Sequence, residues 1–283
     1  MRKKVFVCAF LLLTILLTFE ELYPRKFQKI NLSTGAGISK MLRYEDAQVY
    51  LFGETHRCTE YQRFRNVLFK YLVKEKGVRV FVEEAGYATT FLENETVQGR
   101  LSFSDWLDRC TNSKEDYELY QWIADWNSGR EDADRISIIG IDITDNIGNM
   151  QMLCQYLLKT CDFTGVDVQT QRLLTAIRKQ NPFSSLQLQT FQDEFLPQLI
   201  ELYQTKPEQL ENVLGTQAMH LERALLGWQE ALEQQRLRGK VEQLGDSDDV
   251  YRENCLYENF MREYQERPDT KYYGEFGAAH VLM

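Results

Sequence analysis

The chain has 283 residues, of which 43% are hydrophobic and 12% aromatic, enough apolar material for one large domain or two small ones. It carries 33 Lys and Arg against 42 Asp and Glu, a net charge of −9. This balance argues against nucleic acid as a partner and against a polybasic membrane patch.

Residues 1–24 have the order of a targeting segment. Arg2, Lys3 and Lys4 precede an apolar run from Val5 to Phe19, as in a signal peptide. The run is shorter than the roughly 20 residues of a comfortable membrane span, but no small-residue cleavage site follows it. The alternatives are a cleaved signal peptide and an uncleaved signal anchor, with the anchor preferred. We therefore expect the remaining chain outside the cytoplasmic membrane, either secreted or held at the membrane.

The segment Val49–Phe52 predicts a short buried strand, because it is continuously apolar and rich in aromatic residues. Glu54 and His56 follow in the turn that leaves this strand. Thr59 and Gln62 then have the spacing of a capping box at the start of an amphipathic helix. A carboxylate and an imidazole thus lie between the C-terminal end of a strand and a helix, which is where open α/β sheets bind ligands.

Two further strands are predicted to end in acids. Val78–Val82 is apolar and β-branched and runs into Glu84, and Ile136–Ile141 runs into Asp142. The first two strands flank a helix, so we expect them to be parallel. The sequence therefore predicts acidic side chains at the C-terminal ends of three strands.

From residue 149 to about 240 the apolar residues recur at helical spacing. Pro207 is predicted to open one long helix with a stripe from Leu210 to Leu232, and this spacing suits helices that pack together. We predict three parts after the targeting segment. Residues 25–148 are the first part of an α/β domain, 149–244 a helical insertion, and 245–283 the last part.

The last part is predicted to contain a helix over residues 250–264 and a fourth strand over Lys271–Ala279 that ends at His280. The chain has only three histidines, and two of them, His56 and His280, lie at predicted strand ends. Scarcity and position together point to a function for this pair. The third, His220, lies at the edge of the leucine stripe and is predicted to be a rim residue.

The motifs in order resemble those of the erythromycin esterase-like and ChaN-like (haem-uptake, Tiki) superfamily. Gly53–His56 is similar to its opening G-E-x-H or G-E-x-x-H motif, and Lys76–Ala85 to its G-F-x-x-V-x-x-E-A strand, which makes Glu84 the matching acid. Ile139–Asp142 resembles its Y-G-x-D strand end, Arg252–Asn259 its R-D-x-x-M-A-x-N helix, and Ala279–Val281 the x-H-V that closes the site.

Three departures from the family pattern are visible. Only Thr55 separates Glu54 from His56, a spacing nearer the ChaN-like branch, and Glu253 stands where the family has Asp. The sequence also stops three residues after His280, where the family continues with more sheet. We therefore expect either a C-terminally truncated or a minimal relative.

These patterns predict an α/β fold with a mainly parallel central sheet, flanking helices and an inserted helical lobe, and the resemblance agrees with that fold. The resemblance also implies a hydrolase that directs water at an ester or related bond of a small-molecule substrate. His56 would be the general base, oriented by Glu54 or Glu84. His280 would bind the developing oxyanion or protonate the leaving group, and Arg252 would neutralise charge or hold Glu84. No Gly-x-Ser-x-Gly elbow is present, so a serine acyl-enzyme has no support.

Two alternatives use a cofactor. A divalent metal such as zinc or manganese, which the Tiki branch implies, could be bound by Glu54, His56, Glu84, Asp142 and His280, although no H-E-x-x-H motif occurs. The ChaN-like branch implies haem capture without catalysis, with Tyr87 or His280 as the axial ligand. A purely structural or interaction role is the third alternative.

Overall fold

Four parallel strands form the central sheet of the described chain. They are β1 (Val49–Glu54), β2 (Val78–Gly86), β3 (Ser137–Asp142) and β4 (Lys271–Gly277), in the order β1-β4-β2-β3. The computed structural model describes residues 29–42, 46–55, 58–105, 113–143, 146–238 and 247–281. The predicted α/β class is confirmed. β1 and β2 are both parallel to β4, which lies between them.

Helices occupy most of the remaining described chain. The chain divides into two units, residues 1–45 and 46–283, and every described strand and every helix after α1 belongs to the second. The α-helices are α1 (Ile38–Met41), α2 (Thr59–Tyr71), α3 (Tyr87–Val97), α4 (Lys114–Asn127), α5 (Ile147–Leu158), α6 (Val168–Arg178), α7 (Ser185–Thr190), α8 (Leu196–Thr205), α9 (Pro207–Leu214), α10 (Ala218–Arg238), α11 (Ser247–Glu266) and α12 (Ala278–Val281). Wider π turns cover Leu72–Lys76 and Phe191–Phe195, and 3₁₀ turns cover Asp132–Asp134 and Gly215–Gln217.

The two faces of the sheet bury different side chains, as the period of two along a strand requires. On one face Phe81 of β2 and Tyr273 of β4 pack around Phe69 of α2, with ring centroids 5.0–5.7 Å apart. On the other face a core of valine, isoleucine and aromatic side chains packs with Leu256 of α11. The sheet is therefore enclosed between α2 and α11, and both helices reach its C-terminal edge.

β1 is less buried than its apolar sequence predicts. Its residues are half-buried, and Leu51 is 58% exposed. The reason is position, because β1 is an edge strand that pairs only with β4. The prediction of a buried first strand was wrong in this respect.

Two predicted helix features differ from the structure. α2 begins at Thr59 after an extended Cys58, and no side chain caps it. The amide of Gln62 instead approaches the Ser113 hydroxyl at 3.3 Å. The single helix predicted from Pro207 is two helices, α9 and α10, because Gly215 between them has φ +57°, a conformation that disrupts helical geometry.

Candidate active site

Arg252 of α11 joins the ends of β2 and β3 through two carboxylates. Its Nε and Nη2 donate to the two oxygens of Asp142 at 2.9 and 2.6 Å, and Nη2 also donates to Oε1 of Glu84 at 2.8 Å. A forked contact of this kind fixes both position and orientation. Hydrogen bonds to Asp142 are the main reason that the pKa of Arg252 is raised. This guanidinium is therefore a permanent positive charge.

Asn259 helps to hold α11 against the sheet. It follows Arg252 by seven residues, or two helical turns, so both side chains project toward the strands. The amide of Asn259 donates to the carbonyl oxygen of Ile141 at 3.0 Å. The predicted R-to-N spacing on this helix thus has a geometric reason. The Arg252 side chain binds a side chain at the end of β3, and the Asn259 side chain binds a backbone carbonyl there.

Glu84 is an ionised carboxylate with a partner on each oxygen. Burial raises its pKa, but the backbone N–H of Gly277 and the guanidinium of Arg252 outweigh burial, so the pKa is lowered overall. The Gly277 N–H donates to Oε2 at 2.7 Å. Gly277 is also the register partner of Glu54 on β1. The ends of β1, β2 and β4 therefore meet at this carboxylate.

His280 lies between two carboxylates. β4 ends at Gly277, two residues earlier than predicted, and the short helix α12 carries the imidazole. Nδ1 is hydrogen-bonded to Glu253, and Nε2 lies 3.2 Å from Oε1 of Glu84 and 3.5 Å from Nη1 of Arg252. Such an imidazole has a fixed orientation and can carry a proton at the nitrogen that faces Glu84.

Four of the predicted site residues thus form one cluster: Glu84, Asp142, Arg252 and His280. Glu54 lines the same cleft as Glu84, a space of about 400 Å³. His56 lies outside the described residues, and its role stays a prediction from the sequence.

A second ionic group lines this cleft and was not predicted. Arg65 of α2 is buried and donates to Asp116 at 2.6 Å and to Glu275 of β4 at 3.1 Å. Burial raises the pKa of Glu275 to about 7, because desolvation of the carboxylate outweighs the attraction of Arg65. The sequence did contain a signal for this group, because Glu275 lies within an aromatic strand segment. A Glu is almost never fully buried without a partner, so its position indicated a nearby cation.

Glu83 of β2, which lines the cleft, interacts with a second acid, Glu93 of α3. Burial raises the pKa of both, and Glu93 is affected most because Glu83 adds like-charge repulsion. The hydroxyl of Tyr120 donates to Oε1 of Glu83 at 2.9 Å. Two adjacent carboxyl groups of this kind resist ionising together, because each charge disfavours the other.

The described residues do not fit a metal centre. Within the ranges that the structure describes, no three His, Cys, Asp or Glu side chains are placed to hold a metal ion. The guanidinium of Arg252 already contacts both oxygens of Asp142 and one of Glu84. A cation there would meet a fixed positive charge, so the predicted metal set has no support from these residues.

The predicted haem ligands are also engaged. Both ring nitrogens of His280 face carboxylates. Tyr87 was predicted to be exposed, but it is half-buried, and its hydroxyl lies 2.6 Å from Nδ1 of His220. His220 is packed against the ring of Phe91 at 4.8 Å, and burial lowers its pKa. His220 is therefore part of the contact between α3 and α10 and not a rim residue.

No described helix is both long enough and apolar enough to cross a bilayer. The apolar run of residues 5–19, with the predicted signal peptide or anchor, lies outside the described residues. The predicted boundaries at residues 148 and 244 stay predictions.

Comparison with known proteins gives structural neighbours only. No family model matches the sequence, and no curated protein matches it. An erythromycin esterase mutant in its open conformation is 16% identical, with a TM-score of 0.52 over 88% of this chain and 64% of that one. A succinoglycan biosynthesis protein is 18% identical, with a TM-score of 0.54 over 90% and 68%. A Bacillus cereus protein is 20% identical, with a TM-score of 0.51 over 87% and 61%.

These similarities establish the fold. The predicted resemblance to erythromycin esterase is confirmed at that level, because the neighbours align with most of the described architecture. The chain spans about two thirds of the length of the structures that it matches, 61–68%.

Proposed function

We propose that this chain is a hydrolase that adds water to an ester or a related bond of a small molecule. The observation that carries the proposal is the contact between Glu84 and His280 at the C-terminal edge of the sheet, beside a cleft of about 400 Å³. Ligands bind at this edge in open α/β sheets. The erythromycin esterase fold is a second support, since that neighbour is named as an esterase.

His56 is the proposed general base and His280 the proposed general acid. His56 takes a proton from water, and the water oxygen attacks the carbonyl carbon. The bond to the leaving oxygen then breaks, and His280 gives its Nε2 proton to that oxygen. An imidazole suits both tasks because its ordinary pKa is near neutrality. The products are an acid and an alcohol.

The remaining residues position these two groups. Glu84 lies 3.2 Å from Nε2 of His280, and Glu253 fixes the ring through Nδ1. Arg252 keeps Glu84 and Asp142 in place. Glu54 lines the cleft and precedes His56 by two residues in the sequence. Its proposed task is to orient that imidazole.

The test compares all three histidines in the purified full-length chain. We expect turnover of p-nitrophenyl acetate to fall at least about 100-fold in His56→Ala and His280→Gln, the scale of general acid–base catalysis. His220→Gln is the matched control and should keep its turnover, because that ring lies in the α3–α10 contact. Folding of each variant is checked by circular dichroism.

Chelation and a glutamate variant complete the test. Turnover that survives EDTA, and is lost in Glu84→Gln, supports the proposal. Turnover that EDTA removes and zinc restores would require a metal hydrolase instead. Retained turnover in both His56→Ala and Glu84→Gln would contradict the site assignment.

We also propose that the domain works outside the cytoplasmic membrane, secreted or anchored through residues 1–24. The order of Arg2, Lys3 and Lys4 before the apolar run supports this. Protease treatment of intact cells tests it, since digestion without lysis is expected only for an exported domain. A chain lacking residues 1–24 is the control and should be protected.

A further inference from the structure

A second cavity lies on the face of the sheet that packs against α11. Its volume is about 220 Å³, and its walls are almost entirely apolar side chains of all four strands and of α11. Val82, Ile141 and Phe276 form part of the wall and belong to the buried core of that face. This cavity is distinct from the cleft of about 400 Å³, whose lining is mainly charged.

The mouth of this cavity is apolar as well. Leu51 on β1 and Tyr257 on α11 both line it, and they are 58% and 65% exposed. Large apolar side chains are exposed singly on most proteins, but here two of them border one apolar cavity. β1 is an edge strand, and the exposed Leu51 on it and Tyr257 on α11 form the solvent-exposed part of the cavity lining.

One end of the cavity is polar and belongs to the candidate active site. Glu253 and His280 supply the carboxylate and the imidazole in its lining. His280 in turn lies 3.2 Å from Glu84. An apolar chain in the cavity would therefore place a polar head group beside the imidazole that we propose as the general acid.

We propose that this cavity binds the apolar acyl arm of the substrate, so that the substrate class is esters of medium-length alkanoic acids. This proposal rests on the proposed function, and it adds which class of ester is hydrolysed. A methylene group is about the size of a water molecule, which occupies about 30 Å³. A cavity of about 220 Å³ therefore accommodates about seven such groups. An octanoyl chain has about that number of carbon atoms beyond its carbonyl carbon.

The test compares p-nitrophenyl octanoate with p-nitrophenyl acetate in the full-length chain. We expect the octanoate ester to have the higher kcat/KM, because burial of each methylene favours binding. In Leu51→Asp the ratio of octanoate to acetate kcat/KM should fall at least about tenfold, since a charge at the mouth disfavours an apolar chain. Tyr257→Asp, on the opposite rim, is the second variant and should act in the same direction.

Leu186→Asp is the matched control. Leu186 is a leucine on α7, is 76% exposed, and lines neither cavity. Its ratio of octanoate to acetate turnover should equal that of the wild type. An equal fall in all three variants would overturn the proposal, because the effect would then come from added surface charge.

Binding of octanamide, measured by calorimetry, separates this proposal from the proposed function. If no ester is hydrolysed but octanamide binds and Leu51→Asp weakens it, the cavity proposal stands and the hydrolase proposal fails. If esters are hydrolysed without preference for length and octanamide does not bind, the cavity proposal is overturned alone. A dimer of the wild type that Leu51→Asp dissociates, without any effect of chain length, would assign this face to a second copy and also overturn it.

Discussion

At the scale of single residues, Arg252 is the side chain of the candidate site that forms ion pairs with both Glu84 and Asp142. Its side chain is 22% exposed, and its partners Glu84 and Asp142 are 13% and 4% exposed. Taking charges out of water is costly unless every partner is present. The three side chains therefore depend on one another, and the loss of the guanidinium would remove the positive charge that both carboxylates contact.

We predict that Arg252→Met lowers the free energy of unfolding at pH 7 by about 3–5 kcal/mol, the cost of breaking a buried ion pair from one side. Arg252→Lys should cost less, because it keeps the charge and loses the forked contact. Urea unfolding measures both. Arg238→Met is the control, since Arg238 forms an exposed pair with Asp248, and it should leave the transition unchanged. Equal effects at positions 252 and 238 would mean that the buried pair has no special cost.

Glu275 should make stability depend on pH. The folded state raises its pKa from 4.5 to about 7 through burial, so the folded protein holds a proton that the unfolded chain releases. This contribution is fully present below pH 4.5 and is lost as the pH rises through about 7.

We therefore predict that Glu275→Gln stabilises the protein at pH 8 relative to wild type and has little effect at pH 4. The difference should be on the order of 1–3 kcal/mol, because each unit of pKa shift corresponds to about 1.4 kcal/mol. Urea unfolding from pH 4 to pH 8 measures it. Glu83 and Glu93 shift in the same direction, so the test is the difference between variant and wild type. A constant difference across this range would exclude Glu275 as the titrating group.

At the scale of elements, two glycines set how helices meet the sheet and each other. A Cβ on Gly140 of β3 would lie 2.3 Å from the carbonyl oxygen of Ala85 and 2.6 Å from the hydroxyl of Thr90. Only glycine therefore lets α3 pack so closely on β3. Between α9 and α10, Gly215 has φ +57° and ψ −131°, a region that other residues rarely adopt.

We predict that Gly215→Ala destabilises the protein by about 1–2 kcal/mol through backbone strain alone, since a Cβ there would meet nothing within 4 Å. Gly227→Ala is the matched control, because it lies inside α10 and a Cβ there also meets nothing within 4 Å. That substitution should stabilise by up to about 1 kcal/mol through helix propensity. Thermal or urea unfolding of both variants gives the signs. Two effects of the same sign would show that the break after α9 is not strained.

At the scale of the whole molecule, net charge and the charged cleft act in the same direction. The chain carries a net charge of −9. Five carboxyl groups line the cleft, Glu54, Glu83, Glu84, Asp116 and Glu275, together with the guanidinium of Arg65. Burial raises the pKa of Glu83 and Glu275, so the negative charge of the cleft comes mainly from Glu54, Glu84 and Asp116. A cleft with charges of one sign concentrates ligands of the opposite sign, and salt weakens this effect.

We predict that acetylcholine is hydrolysed with a several-fold higher kcat/KM than its neutral isostere, 3,3-dimethylbutyl acetate, at about 10 mM salt. The two values should converge at about 0.5 M salt, where charges are screened within a few ångströms. Steady-state kinetics at both salt concentrations test this. A preference that is independent of salt would point to direct contact with the ammonium group, and a preference for the neutral ester would contradict the electrostatic argument.

The sequence by itself determined the α/β class, the four strands and the acids at the ends of the first three. Continuous apolar, β-branched runs and the residues that end them are local signals, because they depend only on neighbours in the chain. Order along the chain also indicated the erythromycin esterase fold, which the structural neighbours confirm. The sequence alone supplies the prediction for His56.

Only the tertiary structure decided which of these residues meet. The strand order β1-β4-β2-β3 brings Glu84 next to Gly277, 193 residues later in the chain, and no local pattern encodes that pairing. The strand order also makes β1 an exposed edge strand. The tertiary structure places Arg252 against two of the predicted metal ligands, and it brings Arg65, Asp116 and Glu275 together around one cleft. The physical reason is that burial and electrostatic partners depend on contacts between distant segments, whereas periodicity and strand ends depend only on neighbours in the chain.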